Sequence, residues 1–294
     1  MTMMSNKRDV PAELETYRYI RVALPALAMT LFLSVVIESI GAGGCWQSSI
    51  SAYYYTPARG VFASALVAMG VCLYVLKGST AWEDCFLDAA GILAAFVAFI
   101  PTKFDGVCGQ TDISPDERDH LVANNVLAAL IVGAMALIVA LGVAIYRRRY
   151  SGKDFNWVRF AMSVALFLAL GTGYADRNWL LAHGHGVCAS AMFLFIIAVV
   201  VNNHRQLATG TPVWISRTYK ALAGAMSLLL VITVALRLFH KAALSAIGNV
   251  PHHTTLVTEA LLITIFAAFW VVESIDLLHH VTRPEPDAQF RVIA

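Results

Sequence analysis

The feature that most constrains this chain is a series of eight apolar runs, each about 18 residues or longer, the length an α-helix needs to cross the hydrocarbon core of a bilayer. They fall at about 18–41, 57–77, 84–101, 115–146, 156–175, 179–202, 217–239 and 252–278. Lipid offers backbone N–H and C=O groups no partners, so runs of this kind are predicted as helices that satisfy their own backbone. Composition agrees. Of 294 residues, 59% are hydrophobic and 14% charged, against about 25% charged in an ordinary soluble domain. The predicted fold class is all-α, a polytopic membrane bundle of eight transmembrane helices whose first partner is the lipid bilayer.

Several helix ends are written locally. Ser114-Pro115-Asp116-Glu117 combines an N-cap serine, proline at the first helical position and a capping-box glutamate. Thr56-Pro57 predicts a second start of the same kind, Pro251 a third, and Pro101 a stop. Orientation follows from lysine and arginine, which favour the cytoplasmic side. With the N-terminus inside, only Arg59, Lys103, Arg118, Arg177, Arg237 and Lys241 fall outside, leaving 15 of the 21 basic residues within. Both ends are therefore expected in the cytoplasm. The predicted layout is a cytoplasmic segment 1–17, a four-helix half 18–146, a basic linker 147–155, a second four-helix half 156–278 and a cytoplasmic tail 279–294. A net charge of +2, with no basic stripe interleaved with aromatics, leaves no nucleic-acid footprint.

The halves echo one another. GVFASA at Gly60 to Ala65 returns as GVCASA at Gly186 to Ala191, 126 residues later. AAG at Ala89 to Gly91 matches LAG at Leu222 to Gly224, and LVANNVLAALI from Leu121 matches LVTEALLITIF from Leu256. Ordered matches predict a parallel 4+4 internal duplication about an axis along the membrane normal. The GVxASA copies are expected to be small-residue seams between closely packed helices. Cys45 and Cys108 fall in two outer loops and are expected to form a disulfide, whereas Cys72, Cys85 and Cys188 lie within helices.

Ionisable groups inside a span are costly and point to partners, wet cavities or function. Such groups gather in the outer half, Glu38, Arg59, Asp176, His185 and Glu259, with the polar amide Asn124 among them. The segment CWQSSISAYYYTP, Cys45 to Pro57, adds Ser51 and Tyr54 and is placed to fold over such a pocket. His185 and Glu259 are expected to share one outward-facing cavity, the alternative being an Arg237–Glu259 ion pair. Tyr53, Tyr54, Tyr55, Trp46 and Trp179 read most simply as an interfacial aromatic belt. Glu273 and Asp276 read as charge at the inner end of the last helix.

SSISAYYYTPARGVF, WEDCFLDAAGILAAFVAFIPT, HGHGVCASAMF and TEALLITIFAAFW together resemble a group of uncharacterised bacterial polytopic membrane proteins. The resemblance implies a multi-pass protein of the bacterial inner (plasma) membrane and directs attention to Ser49, Ser51, Tyr53, Tyr54, Arg59, His185 and Glu259. A weaker similarity is to the superfamily of alkaline ceramidases and adiponectin-type receptors, which implies zinc held by histidines; the H-x-x-x-H of their last span is absent here.

Three functions follow as expectations. The first is an outward-facing polar pocket that binds or transports a small polar molecule, an ion or a lipid headgroup, needing no cofactor. The second is a metal-dependent hydrolase of lipid amides or esters, with Zn²⁺ held by His120, His185, His252 and Glu259 or Asp176. The third is a structural or accessory subunit without catalysis.

Overall fold

The computed structural model describes residues 11–107, 109–151, 156–207, 211–247, 253–278, 280 and 282–283. Among them there are eight long helices and no strands: α1 (Ala12–Gly41), α2 (Arg59–Val75), α3 (Ala81–Phe99), α4 (Pro115–Ser151), α5 (Trp157–Ala175), α6 (Arg177–Arg205), α7 (Val213–Ile247) and α8 (Thr254–Asp276). By length and composition, six of them can cross a membrane: α1, α6 and α8 in full, with α4 over Pro115–Tyr146, α5, and α7 over Val213–Leu236. The chain is a multi-pass membrane protein. α2 is apolar but shorter, with 17 residues, and α3 carries Glu83, Asp84 and Asp88 in its first half.

α3 tolerates these acids because it is the innermost helix. Residues on all its sides are buried, Glu83 and Asp88 among them, and its neighbours supply their partners. It starts at a capping box that the apolar pattern alone did not reveal. Thr80 Oγ1 accepts from Glu83 N–H at 3.2 Å, and a Glu83 carboxylate oxygen accepts from Ser79 N–H at 2.9 Å. The predicted cap at Ser114 is present, accepting from Glu117 N–H at 3.2 Å. Thr56 serves two elements: its hydroxyl donates to Tyr53 O at 2.8 Å, closing the preceding turn, and accepts from Ala58 N–H at 3.2 Å, the cap bond expected of Thr56-Pro57, with the regular α2 beginning at Arg59.

Six helices form a ring in the order α1, α2, α3, α6, α7, α8, with α8 returning to α1. α5 packs outside on α3, and α4 on α5. The N-terminal end of α1 meets the C-terminal end of α8, where Arg18 Nε donates to Leu278 O at 2.7 Å. A 4+4 duplication would match α1 with α5 and α4 with α8, yet in each pair one member is in the ring and the other outside. The packing does not display the duplication.

The closest crossing joins α2 to α3. A Cβ on Gly70 would stand 2.6 Å from Gly91 O, and one on Gly91 2.5 Å from Gly70 O. In lipid, where apolar burial gives helices little reason to associate, such backbone approach is a main source of cohesion. The GVxASA motifs are not the seams expected of them. Gly60 has nothing near its Cβ position, and Ala189 and Ser190 of the second copy line a cavity. The matched glycines Gly91 and Gly224 also differ, since a Cβ on Gly224 meets nothing within 4 Å.

Candidate functional site

At the loop end of the ring, Gly43 and Gly44 adopt φ of 74° and 86° and turn the chain back after α1. The link then enters the ring mouth as a short 3₁₀ helix, Ser51–Tyr55, with every residue buried. The three tyrosines are therefore core residues and not an aromatic belt. Their burial is tolerated because each hydroxyl is satisfied. Tyr53 OH pairs with Ser39 Oγ, Tyr54 OH accepts from Arg59 Nη2 at 2.8 Å, and Tyr55 OH donates to Thr102 O at 2.6 Å. Burial pushes the Tyr54 and Tyr55 phenols up, against the opposing pull of Arg59 and Arg118, so both stay neutral hydroxyls. Trp46 and Trp179, by contrast, are exposed. The link is tied to α8 by Leu256 N–H donating to Ser48 O at 2.9 Å, and to the loop after α3 by Thr111 N–H donating to Tyr55 O at 2.6 Å.

This plug carries Ser51 to His185 and Glu259. Ser51 Oγ lies 2.7 Å from His185 Nε2, and His185 Nδ1 lies 2.6 Å from Ile100 O. Ser51 N–H donates to Glu259 Oε2 at 3.3 Å, and Ser51 Oγ stands 3.5 Å from the same oxygen. The last carbonyls of a helix lack intrahelical donors, and Ile100 ends α3. Because a carbonyl only accepts, Nδ1 carries hydrogen; in the neutral form of the ring Nε2 then presents its lone pair to the Ser51 hydroxyl. His185 and Ser51 are both buried.

Ser51, Ser190, Thr233 and Glu259 are the polar residues that line a cavity of about 60 Å³. Its other walls are mostly apolar and come from all six ring helices: Leu31, Phe62, Val97, Phe193, Leu230 and Leu262 represent them in ring order. A second cavity shares Leu31, Leu66, Met192, Phe193 and Ile263 and extends to Leu73 and Phe266.

The remaining expected site residues do not converge here. Glu38 is half-buried on α1 near Gly109. Arg59 stacks on the Tyr54 ring, 4.3 Å from its centre. Asn124 is exposed and donates to Asn125 Oδ1 at 3.4 Å. Asp176 is an exposed N-cap that accepts from Trp179 N–H at 3.0 Å. His120 is exposed on α4, outside the ring. His252, Cys108 and the Arg237 side chain lie outside the described residues, so the full zinc set, the Cys45–Cys108 bridge and the Arg237–Glu259 pair do too. Among the described residues no group of three His, Cys, Asp or Glu side chains is placed to hold a metal.

A second polar centre closes the opposite end of the ring. Asn203 Nδ2 donates to Glu83 at 2.7 Å, and Asn203 Oδ1 accepts from Arg283. Arg283 also pairs with Asp276 and reaches Tyr219 OH at 3.2 Å. Arg21 and Glu273 are buried. Asp276 thus belongs to an internal ion pair, and Glu273 is buried rather than placed at a solvated helix end. Beside it, Arg159 of α5 grips Asp88 with two guanidinium nitrogens, Nη2 at 2.7 Å, and lies 3.8 Å from Asp84, which Lys77 also approaches at 3.6 Å. Reading the outer residues alone missed this centre. The Thr80–Glu83 capping box was the available signal for its first acid.

Fold and site together define an all-helical, multi-pass membrane protein with a largely apolar chamber, plugged at one end by a serine–histidine–glutamate constellation and at the other by ion pairs. No family model, curated protein or solved structure matches this chain.

Proposed function

We propose that the protein binds an amphiphile, holding its apolar part in the ring chamber and its polar part beside Ser51, His185 and Glu259. One observation carries this reading: Ser51 and Glu259 border the same cavity as apolar side chains from every ring helix. A pocket for a small polar solute would be lined by polar groups throughout, whereas here only Ser51, Ser190, Thr233 and Glu259 interrupt an apolar lining. The two adjoining cavities run along α2 from Phe62 to Leu73, about 16 Å at 1.5 Å per residue, a span suited to an acyl chain. Of the ligand classes expected from the sequence, the lipid headgroup with its chain attached fits best.

Native mass spectrometry of protein extracted with its own lipids tests this reading. Wild type is expected to retain an adduct of lipid mass, and Ala189→Phe, which fills the chamber from α6, to lose it while keeping its unfolding temperature. Equal retention by both proteins would end the proposal.

The same proposal places all eight helices across the inner membrane of a bacterial cell with both chain ends in the cytoplasm. It keeps the kinship with bacterial polytopic membrane proteins. The 15 inner basic residues support the orientation. A cysteine at Lys103 is expected to react with an impermeant maleimide added to intact cells, and one at Ser5 to react only after lysis. The reverse pattern would overturn the orientation.

A further inference from the structure

We infer that Ser51 is a nucleophile activated by His185, and that the site cleaves carboxylic esters of long-chain amphiphiles. The inference rests on the amphiphile-binding reading and goes beyond it in assigning a reaction.

The geometry is that of an activated hydroxyl. Ser51 Oγ is 2.7 Å from His185 Nε2, within the reach required of a nucleophile and its base. The base is oriented by a third group, Ile100 O at 2.6 Å from Nδ1. That bond fixes the tautomer that accepts the serine proton, the part an aspartate plays in a catalytic triad. Ser51 is buried and lines the chamber, so a ligand held there lies against this residue. An acceptor oxygen already stands where a carbonyl oxygen would have to lie. Glu259 Oε2 is 3.3 Å from Ser51 N–H and 3.5 Å from Ser51 Oγ. In the ester complex the carbonyl oxygen takes this place, Glu259 withdraws, and Ser51 N–H becomes a donor to the developing oxyanion.

The reaction closes without an added oxidant or reductant. Ser51 Oγ bonds to the carbonyl carbon and its proton passes to His185 Nε2. The bond from that carbon to the alcohol oxygen breaks, and His185 returns the proton to the departing oxygen. Water then attacks acyl-Ser51, giving one proton to His185. The carboxylic acid leaves as the proton returns to Ser51 Oγ.

The test uses the full-length protein in lipid nanodiscs and a hexadecyl fluorophosphonate, which phosphonylates an activated serine with loss of fluoride. Binding of hexadecyl phosphonate, which cannot react, is measured in parallel. Peptide mass spectrometry is expected to place the label on Ser51, and Ser51→Ala to remove it. His185→Gln is expected to slow labelling by about 100-fold or more, the lower range of general-base contributions, with hexadecyl phosphonate binding retained. Should His185→Gln fail to fold, slower labelling of wild type in D₂O serves as the second readout of proton transfer. Hexadecyl phosphonate binding without labelling of Ser51 overturns the nucleophile and leaves the binding reading standing. Absence of both binding and labelling overturns both. Labelling at the wild-type rate in folded His185→Gln, or at equal rates in H₂O and D₂O, overturns activation by the histidine.

Discussion

Gly91→Leu is expected to prevent the ring from closing. At Gly91 a Cβ would lie 2.5 Å from Gly70 O and 3.1 Å from Tyr74 N, and both are backbone atoms that no rotamer change can move. α2 and α3 would have to separate, and α3 is the helix on which α2, α5 and α6 all pack. Overpacking a core with flexible neighbours costs about 1–3 kcal/mol, occasionally more; a backbone clash at a central crossing belongs at or above the top of that range. Gly224→Leu is the internal control, because a Cβ there meets nothing within 4 Å. Thermal unfolding in detergent, followed by size-exclusion chromatography, should show Gly91→Leu aggregated or strongly destabilised and Gly224→Leu close to wild type. Equal tolerance of the two substitutions would show that α2 and α3 do not cross at these glycines.

Arg159→Leu is expected to have the second large effect. The Asp88 side chain is 5% exposed and the Arg159 side chain 25%, so removing the arginine leaves a carboxylate that water reaches poorly. Breaking a buried pair from one side costs about 3–5 kcal/mol, whereas replacing both partners with apolar residues is often near neutral. Asp88→Leu with Arg159→Leu should therefore be markedly more stable than Arg159→Leu alone. Asp84 keeps Lys77 in all variants. Equal stability of the single and double variants would mean that Asp88 is hydrated without its partner and that the bridge holds α5 to α3 only weakly.

Much of the helical layout was legible from local chemistry. Apolar runs longer than a bilayer core have one stable backbone conformation in lipid, and a serine with glutamate three residues on marks a helix start in any context. That is why α4 starts at Pro115 as expected. Thr56 likewise accepts from Ala58 N–H at the turn that leads into α2, while its hydroxyl also closes the 3₁₀ segment before it. The tyrosines misled. Three adjacent aromatics next to a span suit an interface equally well, and only partners from distant segments, Ser39 and Thr102 with the nearby Arg59, made a dry site tolerable.

The sequence by itself determined that the chain is helical and membrane-spanning, since hydropathy and run length act residue by residue and need no partner. Among a wider set of outer polar residues it also named His185 and Glu259, because polar groups in apolar runs are expensive wherever they end up, and Ser51 on the segment between the first two runs. Tertiary structure alone decided that these three meet, 134 and 208 residues apart along the chain. It likewise decided that the group orienting His185 is a backbone carbonyl, Ile100 O, which no side-chain pattern can announce. Which helices form the ring was also beyond local reading. α3 carries three acids in its first half yet is a ring helix buried on all its sides, while α4, which holds the most apolar candidate span, lies outside the ring. In lipid, hydrophobicity does not choose the interior; close backbone approach and charge pairing do.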